Sequence, residues 1–419
     1  MKKQTWLLFA FGSFIVWELG LAADKINTCL ECHLQLDDKL ALPARSFPQD
    51  IHANYGLLCS DCHGGNAEKE EIGEAKDKTF RGTPSRQNIP KLCATCHSNA
   101  TYMRNFNPRL RVDQLELYLT SKHGQSFQKG DLKPAICTDC HGVHGIQAAN
   151  MPQSKTFAWN IAQTCGRCHS DTSLMKSYNL PTNQEEDYRT SVHAQALYEK
   201  KDLSAPTCND CHGNHGASPP EVTSVANVCR QCHPSPSQLF ARSAHKAAFD
   251  DASISECEAC HGHHRIVKPT DEMLPGGKLD TCVQCHEADS KAIQQGSQLR
   301  QELQRLAAEL ESVGSRLDVV AKKGVEVSEA RFQLQEARTP FLEARNLVHG
   351  LFFSEMESRL KDSSERLTRV TAMAEAAEKE SQFRKTGLII ATAFLFLLAL
   401  AILLKARQLR QRRLQAPFE

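Results

Sequence analysis

The sequence predicts a mainly α and loop protein built from three parts. They are a long domain with low secondary structure packed around bound groups, a C-terminal long helical hairpin or coiled coil, and one transmembrane helix. Three observations support this fold class. All 18 cysteines lie between residues 29 and 286, apolar residues then follow a heptad spacing, and an uncharged apolar run lies near the C-terminal end.

Composition excludes one broad function. The 419 residues include 50 Lys plus Arg and 49 Asp plus Glu, for a net charge of +1. A chain so balanced is not a nucleic-acid binder by bulk charge, so no nucleic-acid partner is expected. The 18 cysteines and 18 histidines instead indicate bound metal or cofactor.

The first 23 residues have the layout of a secretory signal peptide. Lys2 and Lys3 precede an apolar run from Trp6 to Trp17, and small residues stand at Ala22 and Ala23. We expect cleavage near Ala23, with an uncleaved anchor as the alternative. In both cases the residues that follow are exported.

A second apolar segment lies near the C-terminal end. Gly387–Leu404 is an uncharged run of eighteen residues, about the minimum for a membrane-spanning helix, so residues 386–405 are predicted to cross the membrane. The basic residues that follow, beginning with Lys405, predict a cytoplasmic tail at 406–419. A buried soluble helix is the alternative. We therefore expect a protein of the inner membrane with a single C-terminal span and its cysteine-rich domain in the periplasm.

The cysteines follow one pattern, C-x-x-C-H, which occurs nine times and uses all of them. The copies are Cys29/Cys32/His33, Cys59/Cys62/His63, Cys93/Cys96/His97, Cys137/Cys140/His141, Cys165/Cys168/His169, Cys208/Cys211/His212, Cys229/Cys232/His233, Cys257/Cys260/His261 and Cys282/Cys285/His286.

Three other uses of paired cysteines explain the pattern less well. Zinc ribbons use such pairs two at a time, which leaves one of nine over, and zinc does not need His directly after the second Cys. A thioredoxin-like site needs one pair, and disulfides do not explain the His. C-x-x-C-H is the c-type haem attachment signature, in which two thioether bonds hold the porphyrin and the adjacent His ligates iron. The sequence therefore predicts nine covalently bound haem c groups.

On these motifs the chain resembles the bacterial multihaem cytochromes c. The phrases CHGVHG at 140–145, CHGNHG at 211–216 and CHGHHR at 260–265 are similar to those of cytochrome c3-like and doubled-CxxCH proteins. In that family the second His of the phrase commonly serves as an axial ligand. The helical C-terminal segment is also similar in style to those of multihaem nitrite reductase and hydroxylamine oxidoreductase relatives.

An internal repeat accompanies these motifs. Each of four repeats opens with an isolated His (His52, His123, His193 or His245), and two attachment motifs follow it. Three openings have the sequence S-x-H. Nine histidines lie outside the attachment motifs and are candidate distal ligands: His52, His123, His144, His193, His215, His245, His263, His264 and His349. By its position in the repeat His264 matches His144 and His215, so His263 is either a ligand or a surface residue.

The segment at 288–385 is predicted to be a helical hairpin or coiled coil. Apolar residues alternate spacings of four and three from Leu299 to Val320 and again from Val327 to Val348, with a turn expected at Lys322–Gly324. Pro340 is a candidate kink. Antiparallel pairing would bring His349 back towards His286, where it becomes a candidate ligand; a polar residue on a coiled-coil flank is the alternative.

Residues 24–287 then form a nine-haem domain with about 29 residues per haem, too few for a separate core around each, so the haem faces are expected to supply the apolar interior around the motifs. Closely spaced haems with two His ligands favour electron transfer, from a quinol-oxidising membrane subunit such as a b-type cytochrome to a periplasmic cytochrome or reductase. The alternative is a multihaem oxidoreductase acting on a small nitrogen or sulfur compound at one five-coordinate haem. His33 is a candidate for that haem, because no isolated His precedes it.

Overall fold

The computed structural model describes residues 27–218 and 227–414. Over these residues the chain forms helices and turns without a strand, which confirms the mainly α prediction. The predicted signal peptide at 1–23 lies outside the described residues, as do residues 415–419 of the predicted tail.

The chain divides into two compact units. The first contains residues up to Cys168 together with Gly213–Ser218. The second contains His169–His212 and the residues from 219 onwards, so the later attachment motifs and the C-terminal helices lie in one unit.

The first unit is built from short helices and loops. Its helices are Thr28–Leu34, Asp38–Ser46, Ile51–Asn54, Cys59–His63, Ile72–Ala75, Ile89–His97, Ala100–Met103, Gln114–Thr120, Lys122–Gln128, Cys137–His141 and Ala158–His169, with a 3₁₀ turn at Phe47–Gln49. The attachment motifs therefore lie on helices of a few turns at most.

The cysteine-rich part of the second unit has the same character. Its helices are Thr172–Lys176, Gln184–Arg189, Val192–Tyr198, Cys208–His212, 227–230, Pro234–Ala241, Ala244–Asp251 and Glu258–His261, with 3₁₀ turns at Asp271–Met273 and Cys282–Gln284.

Two long antiparallel helices follow, as the heptad spacing predicts. The first bundle helix is Lys291–Ala321 and the second is Ser328–Leu347, with a 3₁₀ turn at Val348–Gly350 after it. Leu303, Leu306 and Leu317 of the predicted seam are fully buried. The predicted turn is present, and Gly324 adopts a positive φ of 79° there.

The second bundle helix runs through Pro340 without a break. Proline has no N–H for the carbonyl four residues earlier, and its ring opens that turn of the helix. Nearby, the carbonyl of Ala337 accepts a hydrogen bond of 2.7 Å from the buried hydroxyl of Ser363. The hydroxyl of Ser363, a polar group in the bundle core, thus has a hydrogen-bond partner close to Pro340, where the helix is weakest.

The hairpin prediction needs a correction, because a third helix packs against both others. This third bundle helix, Phe353–Leu414, buries a heptad seam of its own. The seam residues are Met356, Leu360, Ser363, Leu367, Val370 and Ala374. The same helix continues without interruption through the apolar stretch. Its apolar window is wholly exposed, and by length and composition it is able to cross a membrane.

The bundle is docked on the cysteine-rich part of the second unit. The guanidinium of Arg345 donates two hydrogen bonds, of 2.9 and 2.7 Å, to the carboxylate of Asp271. Ser297 and Arg300 both donate to the carbonyl of Pro275. These contacts hold the end of the bundle that carries His349 against the segment between the last two attachment motifs.

Candidate haem sites

Three attachment motifs share a capped helical turn. In C-x-D-C-H the aspartate accepts a hydrogen bond from the backbone N–H of the residue before the first cysteine, which is a capping-box arrangement. The pairs are Asp61 with Leu58 (2.6 Å), Asp139 with Ile136 (2.8 Å) and Asp210 with Thr207 (2.7 Å). Sequence analysis missed these aspartates, although their recurrence in C-x-D-C-H-G was a usable signal.

The glycine after these motifs is needed for the backbone turn. Gly64 and Gly142 have positive φ of 72° and 92°, a region open to glycine at little cost. A Cβ on Gly64 would also lie 2.0 Å from the carbonyl oxygen of Thr79. The chain therefore leaves the attachment helix sharply and returns with the second half of the C-H-G-x-H phrase.

The S-x-H opening of a repeat is a helix N-cap. The hydroxyls of Ser121 and Ser191 accept hydrogen bonds from the backbone N–H groups of Gly124 (2.9 Å) and Ala194 (3.1 Å). The isolated His follows two residues after the cap, in the first turn of a short helix. In the first repeat the buried Asp50 takes the place of the serine.

Consecutive repeats are joined by one recurring backbone hydrogen bond. The residue before the isolated His donates its N–H to the carbonyl two residues after the C-H-G-x-H phrase of the next repeat. These bonds are Ile51 to Ile146 (2.7 Å), Lys122 to Ala217 (3.0 Å) and Val192 to Ile266 (2.8 Å). Each phrase therefore docks on the opening helix of the repeat before it.

At least seven pairs of imidazoles in the described part of the chain face each other across a gap. In the first unit they are His52/His97 (6.0 Å between ring centres), His63/His144 (6.0 Å) and His141/His215 (6.1 Å). In the second unit they are His193/His233 (6.3 Å), His212/His264 (6.0 Å), His245/His286 (5.9 Å) and His261/His349 (6.2 Å). Each of these pairs joins one attachment-motif histidine to one of the predicted distal histidines.

This spacing fits an iron atom between the two rings. A metal–imidazole bond is about 2 Å long, and each ring centre lies about 1 Å behind its nitrogen, so two axial imidazoles have centres roughly 6 Å apart. Direct stacking of the rings would bring them closer. The residues present therefore fit haem with two axial histidines.

The partner of a C-H-G-x-H histidine is not in its own phrase. His144 faces His63, His215 faces His141 and His264 faces His212, each belonging to the preceding repeat. His349 faces His261 of the last repeat in the same way, with rings 22° from parallel. The prediction that His349 returns to the last cluster of motifs is confirmed in position. The bundle thus supplies the histidine that a fifth repeat would have supplied.

One attachment motif differs from the others in its local geometry. The protein chain leaves both Cys232 and His233 exposed. The physical reason is Pro234, because a residue that precedes proline is pushed out of helical geometry. His233 accordingly has φ −119° and ψ 59°, and the helix at 227–230 ends before Cys232.

This motif nevertheless keeps the elements of an attachment site. The N–H groups of Cys232 and His233 both donate to the carbonyl of Cys229, at 3.2 and 2.8 Å, which preserves a single turn without a longer helix. His233 also faces His193, although their 6.3 Å separation is the widest of the seven pairs. Cys232 and His233 therefore remain candidate site residues.

The second cysteine is exposed in other motifs as well. It is exposed at Cys32, Cys62, Cys211, Cys260 and Cys285, as it is at Cys232, whereas the first cysteine of every motif is half-buried. The protein chain itself therefore covers the first cysteine of these motifs better than the second.

Burial prepares many of the histidines for metal binding. Desolvation is the largest cause that lowers the pKa of His97, His141, His144, His169, His193, His215, His245, His261 and His264. A lowered pKa keeps the imidazole neutral near pH 7, and only the neutral ring has a lone pair for a metal.

The cysteines of consecutive motifs lie beside each other within each unit. The thiols of Cys93 and Cys137 are hydrogen-bonded, which raises the pKa of Cys93. The thiols of Cys229 and Cys257 are also bonded, which lowers the pKa of Cys229 to about 7. In further pairs one thiol raises the pKa of the other electrostatically, although burial raises these pKa values more. The pairs are Cys29 with Cys59, Cys62 with Cys96, Cys140 with Cys165, Cys211 with Cys229 and Cys260 with Cys285.

Paired attachment cysteines and facing histidines, repeated along a helical scaffold, define a multihaem c-type cytochrome, and the chain belongs to that class. More particularly, the cytochrome c3 family model matches residues 51–170. Covalently bound c-type haem is therefore its cofactor.

Two curated relatives are similar over part of this chain. The C-type polyheme cytochrome OmcC of Geobacter sulfurreducens is 23% identical over 219 residues, which cover 46% of this chain and 27% of OmcC. The C-type polyheme cytochrome OmcB of the same species is 26% identical over 136 residues, 32% of this chain and 16% of OmcB. The chain thus spans about a quarter or less of these relatives. No solved structure matches it.

Proposed function

We propose that this chain holds nine covalent haem c groups and passes electrons along them. The 18 cysteines of the nine motifs would form the thioether bonds, and the nine motif histidines would be the proximal ligands. The observation that carries this proposal is the set of seven facing histidine pairs with centres 5.9 to 6.3 Å apart.

The distal ligands follow from the same pairs. His52, His144, His193, His215, His245, His264 and His349 each face one motif histidine. His123 holds in its repeat the position that His52 and His193 hold in theirs, and we assign it the same role. Iron held by two protein imidazoles has no open position for a substrate, so these sites serve electron transfer and not catalysis.

The chain keeps neighbouring attachment sites close together. Within each unit, consecutive motifs have cysteines in contact, as with Cys93 and Cys137 or Cys229 and Cys257. Bound c-type haem supplies reversible one-electron chemistry. Because the thioether edges of successive groups would adjoin, the order of electron transfer within a unit follows the order of the motifs in the sequence.

Location and partners form the finer part of the proposal. The apolar stretch of the third bundle helix would anchor the chain in the inner membrane, with the basic tail in the cytoplasm and the haem domain in the periplasm. This stretch contains no histidine for a b-type haem. Electrons would therefore come from a separate quinol-oxidising membrane subunit, such as a b-type cytochrome, and leave to a periplasmic cytochrome or reductase.

The test combines a count with a reduction assay. Intact-mass measurement of the matured full chain should give nine haems, and a count of seven or fewer would contradict the assignment of a haem to each motif. In vesicles containing a reduced quinol, the purified chain should stay oxidised until membranes that contain its donor are added. Rapid reduction by the quinol alone would contradict the need for a separate donor.

A further inference from the structure

The first attachment motif does not follow the histidine pairing seen in the repeats. In the other cases a C-H-G-x-H histidine faces the attachment motif of the preceding repeat. The corresponding phrase of the first repeat is Cys62-His63-Gly64-Gly65-Asn66, so an asparagine stands where His144, His215 and His264 stand in the later repeats. The haem at Cys29 and Cys32 comes before this phrase and would be the one it serves.

Asn66 is used for local structure. Its side-chain oxygen accepts a hydrogen bond of 3.0 Å from the N–H of Glu68, and its own N–H donates to the carbonyl of Ala75. The next residue, Ala67, accepts hydrogen bonds from the backbone N–H and the hydroxyl of Thr28, one residue before Cys29. The loop is therefore docked beside the first motif, but it brings an amide there instead of an imidazole.

No other histidine takes this role among the described residues. No imidazole or aromatic ring packs against His33, whose Nδ1 is hydrogen-bonded to the carbonyl of Leu40 at 3.1 Å. That bond leaves Nε2 for iron. His263, the remaining candidate, is exposed and packs edge-on against the ring of His264, with centres 4.9 Å apart.

We infer that the haem attached at Cys29 and Cys32 has one protein axial ligand, His33, and is a binding site for small diatomic π-acceptor molecules such as carbon monoxide or nitric oxide. The inference rests on the proposed haem attachment and adds a ligand site to a chain otherwise built for electron transfer. Ferrous iron with one open position binds such molecules, whereas iron between two imidazoles does not.

The surroundings of His33 suit small uncharged ligands. Leu34, Leu36, Leu40 and Leu42 all lie on the two helices around the motif or between them, and each is at least 40% exposed. Leu34 and Leu36 follow His33 within three residues, and the carbonyl of Leu40 is hydrogen-bonded to the ring of His33. An uncharged diatomic molecule needs no charged partner there and loses little hydration on entering such a place.

The test is carbon monoxide titration of the dithionite-reduced full chain. The expected result is one bound molecule per nine haems, together with one high-spin ferric haem in the electron paramagnetic resonance spectrum of the oxidised protein. A reduced protein with nine haems that binds no carbon monoxide would overturn the inference and leave the electron-transfer proposal intact. A low haem count would instead contradict the proposed function.

Two matched variants locate the site. Cys29→Ser with Cys32→Ser removes the first attachment and should abolish carbon monoxide binding. Cys282→Ser with Cys285→Ser removes the last attachment, between His245 and His286, and should leave the stoichiometry at one per chain. The assignment to His33 would be refuted if the first variant still bound carbon monoxide and the second did not. It would also be refuted if the wild-type chain bound no carbon monoxide until His263→Ala was introduced.

Discussion

Asp50 is the one carboxylate among the four residues that open the repeats, and we predict that it lowers the reduction potential of a single haem. Its side chain is 3% exposed. It accepts hydrogen bonds from the backbone N–H and Nδ1 of His52, both at 2.9 Å, and from the N–H of Ile146 at 2.8 Å. Ser121, Ser191 and Ser243 occupy this position in the other repeats.

The carboxylate is charged at neutral pH. Burial opposes its ionisation, but the hydrogen bonds from the ring and backbone of His52 and from Ile146 outweigh burial and hold the pKa of Asp50 below its ordinary value. A charged acceptor on Nδ1 makes the imidazole a stronger donor to iron and favours the ferric state.

The perturbation is Asp50→Ser, which installs the residue of the other repeats. Loss of such an outer partner typically changes metal affinity 10- to 100-fold. The negative charge acts mainly on the ferric state, and one tenfold step in the ferric-to-ferrous ratio is about 59 mV for one electron, so one potential should rise by roughly 60 to 120 mV. The serine keeps the helix cap, so folding is little affected. The haem concerned is the one between His52 and His97.

The assay is a spectroelectrochemical titration of the full chain, in which one haem's share of the absorbance change should move to higher potential. Ser191→Ala is the control, because it removes a cap without removing a charge and should leave the titration curve in place. A curve for Asp50→Ser that coincides with wild type within about 30 mV would refute the reasoning.

Three further predictions concern the bundle. His349→Ala should convert one low-spin haem to high-spin without changing the covalent haem count, and should raise carbon monoxide binding from one to two per chain; an unchanged low-spin spectrum would exclude His349 as a ligand. Ser363→Ala should lower the free energy of unfolding, followed by far-UV circular dichroism, by about 0.5 to 1.5 kcal/mol, because one buried hydrogen bond to the carbonyl of Ala337 is lost, while the exposed Ser358→Ala should change it little. Deleting Gly387–Glu419 should release a soluble red protein from salt-washed membranes, and a truncated chain that stays bound would point to another anchor.

The attachment sites were predictable from sequence because their chemistry is local. Two cysteines and a histidine within five residues are enough to identify each one. The pairing of the distal histidines was not predictable, since His63 faces a histidine 81 residues later, across a repeat boundary. Backbone bonds such as the one from Ile51 to Ile146 show which phrase docks on which opening helix.

The surroundings of a motif were less predictable than its chemistry. Counting residues per haem treats all nine motifs alike and does not distinguish the motif that ends at Cys232 and His233. The usable signal was Pro234, which stands where four other motifs have the glycine that lets the chain fold back.

The helical bundle could be predicted from the sequence only in part. The Leu-rich seam of the first bundle helix was evident as a heptad pattern. The third helix interrupts its own seam with Ser363 and Ala374, and its pattern runs into the uncharged apolar stretch. Sequence analysis therefore separated one 62-residue helix into the end of a hairpin and an isolated span.

The length of that helix limits which electron donors can reach the haem site between His261 and His349. Its 34 residues from Phe353 to Thr386 extend about 50 Å at 1.5 Å per residue, and the His261/His349 pair lies beside the end farthest from the apolar stretch. With that stretch in a bilayer, a tilt of about 20° would shorten the height by only about 3 Å. Electron tunnelling decays exponentially with distance, so a quinol in the lipid cannot reduce this haem directly. A donor to this particular haem must carry a redox centre of its own to that height, or a diffusing carrier must cross the distance in its place.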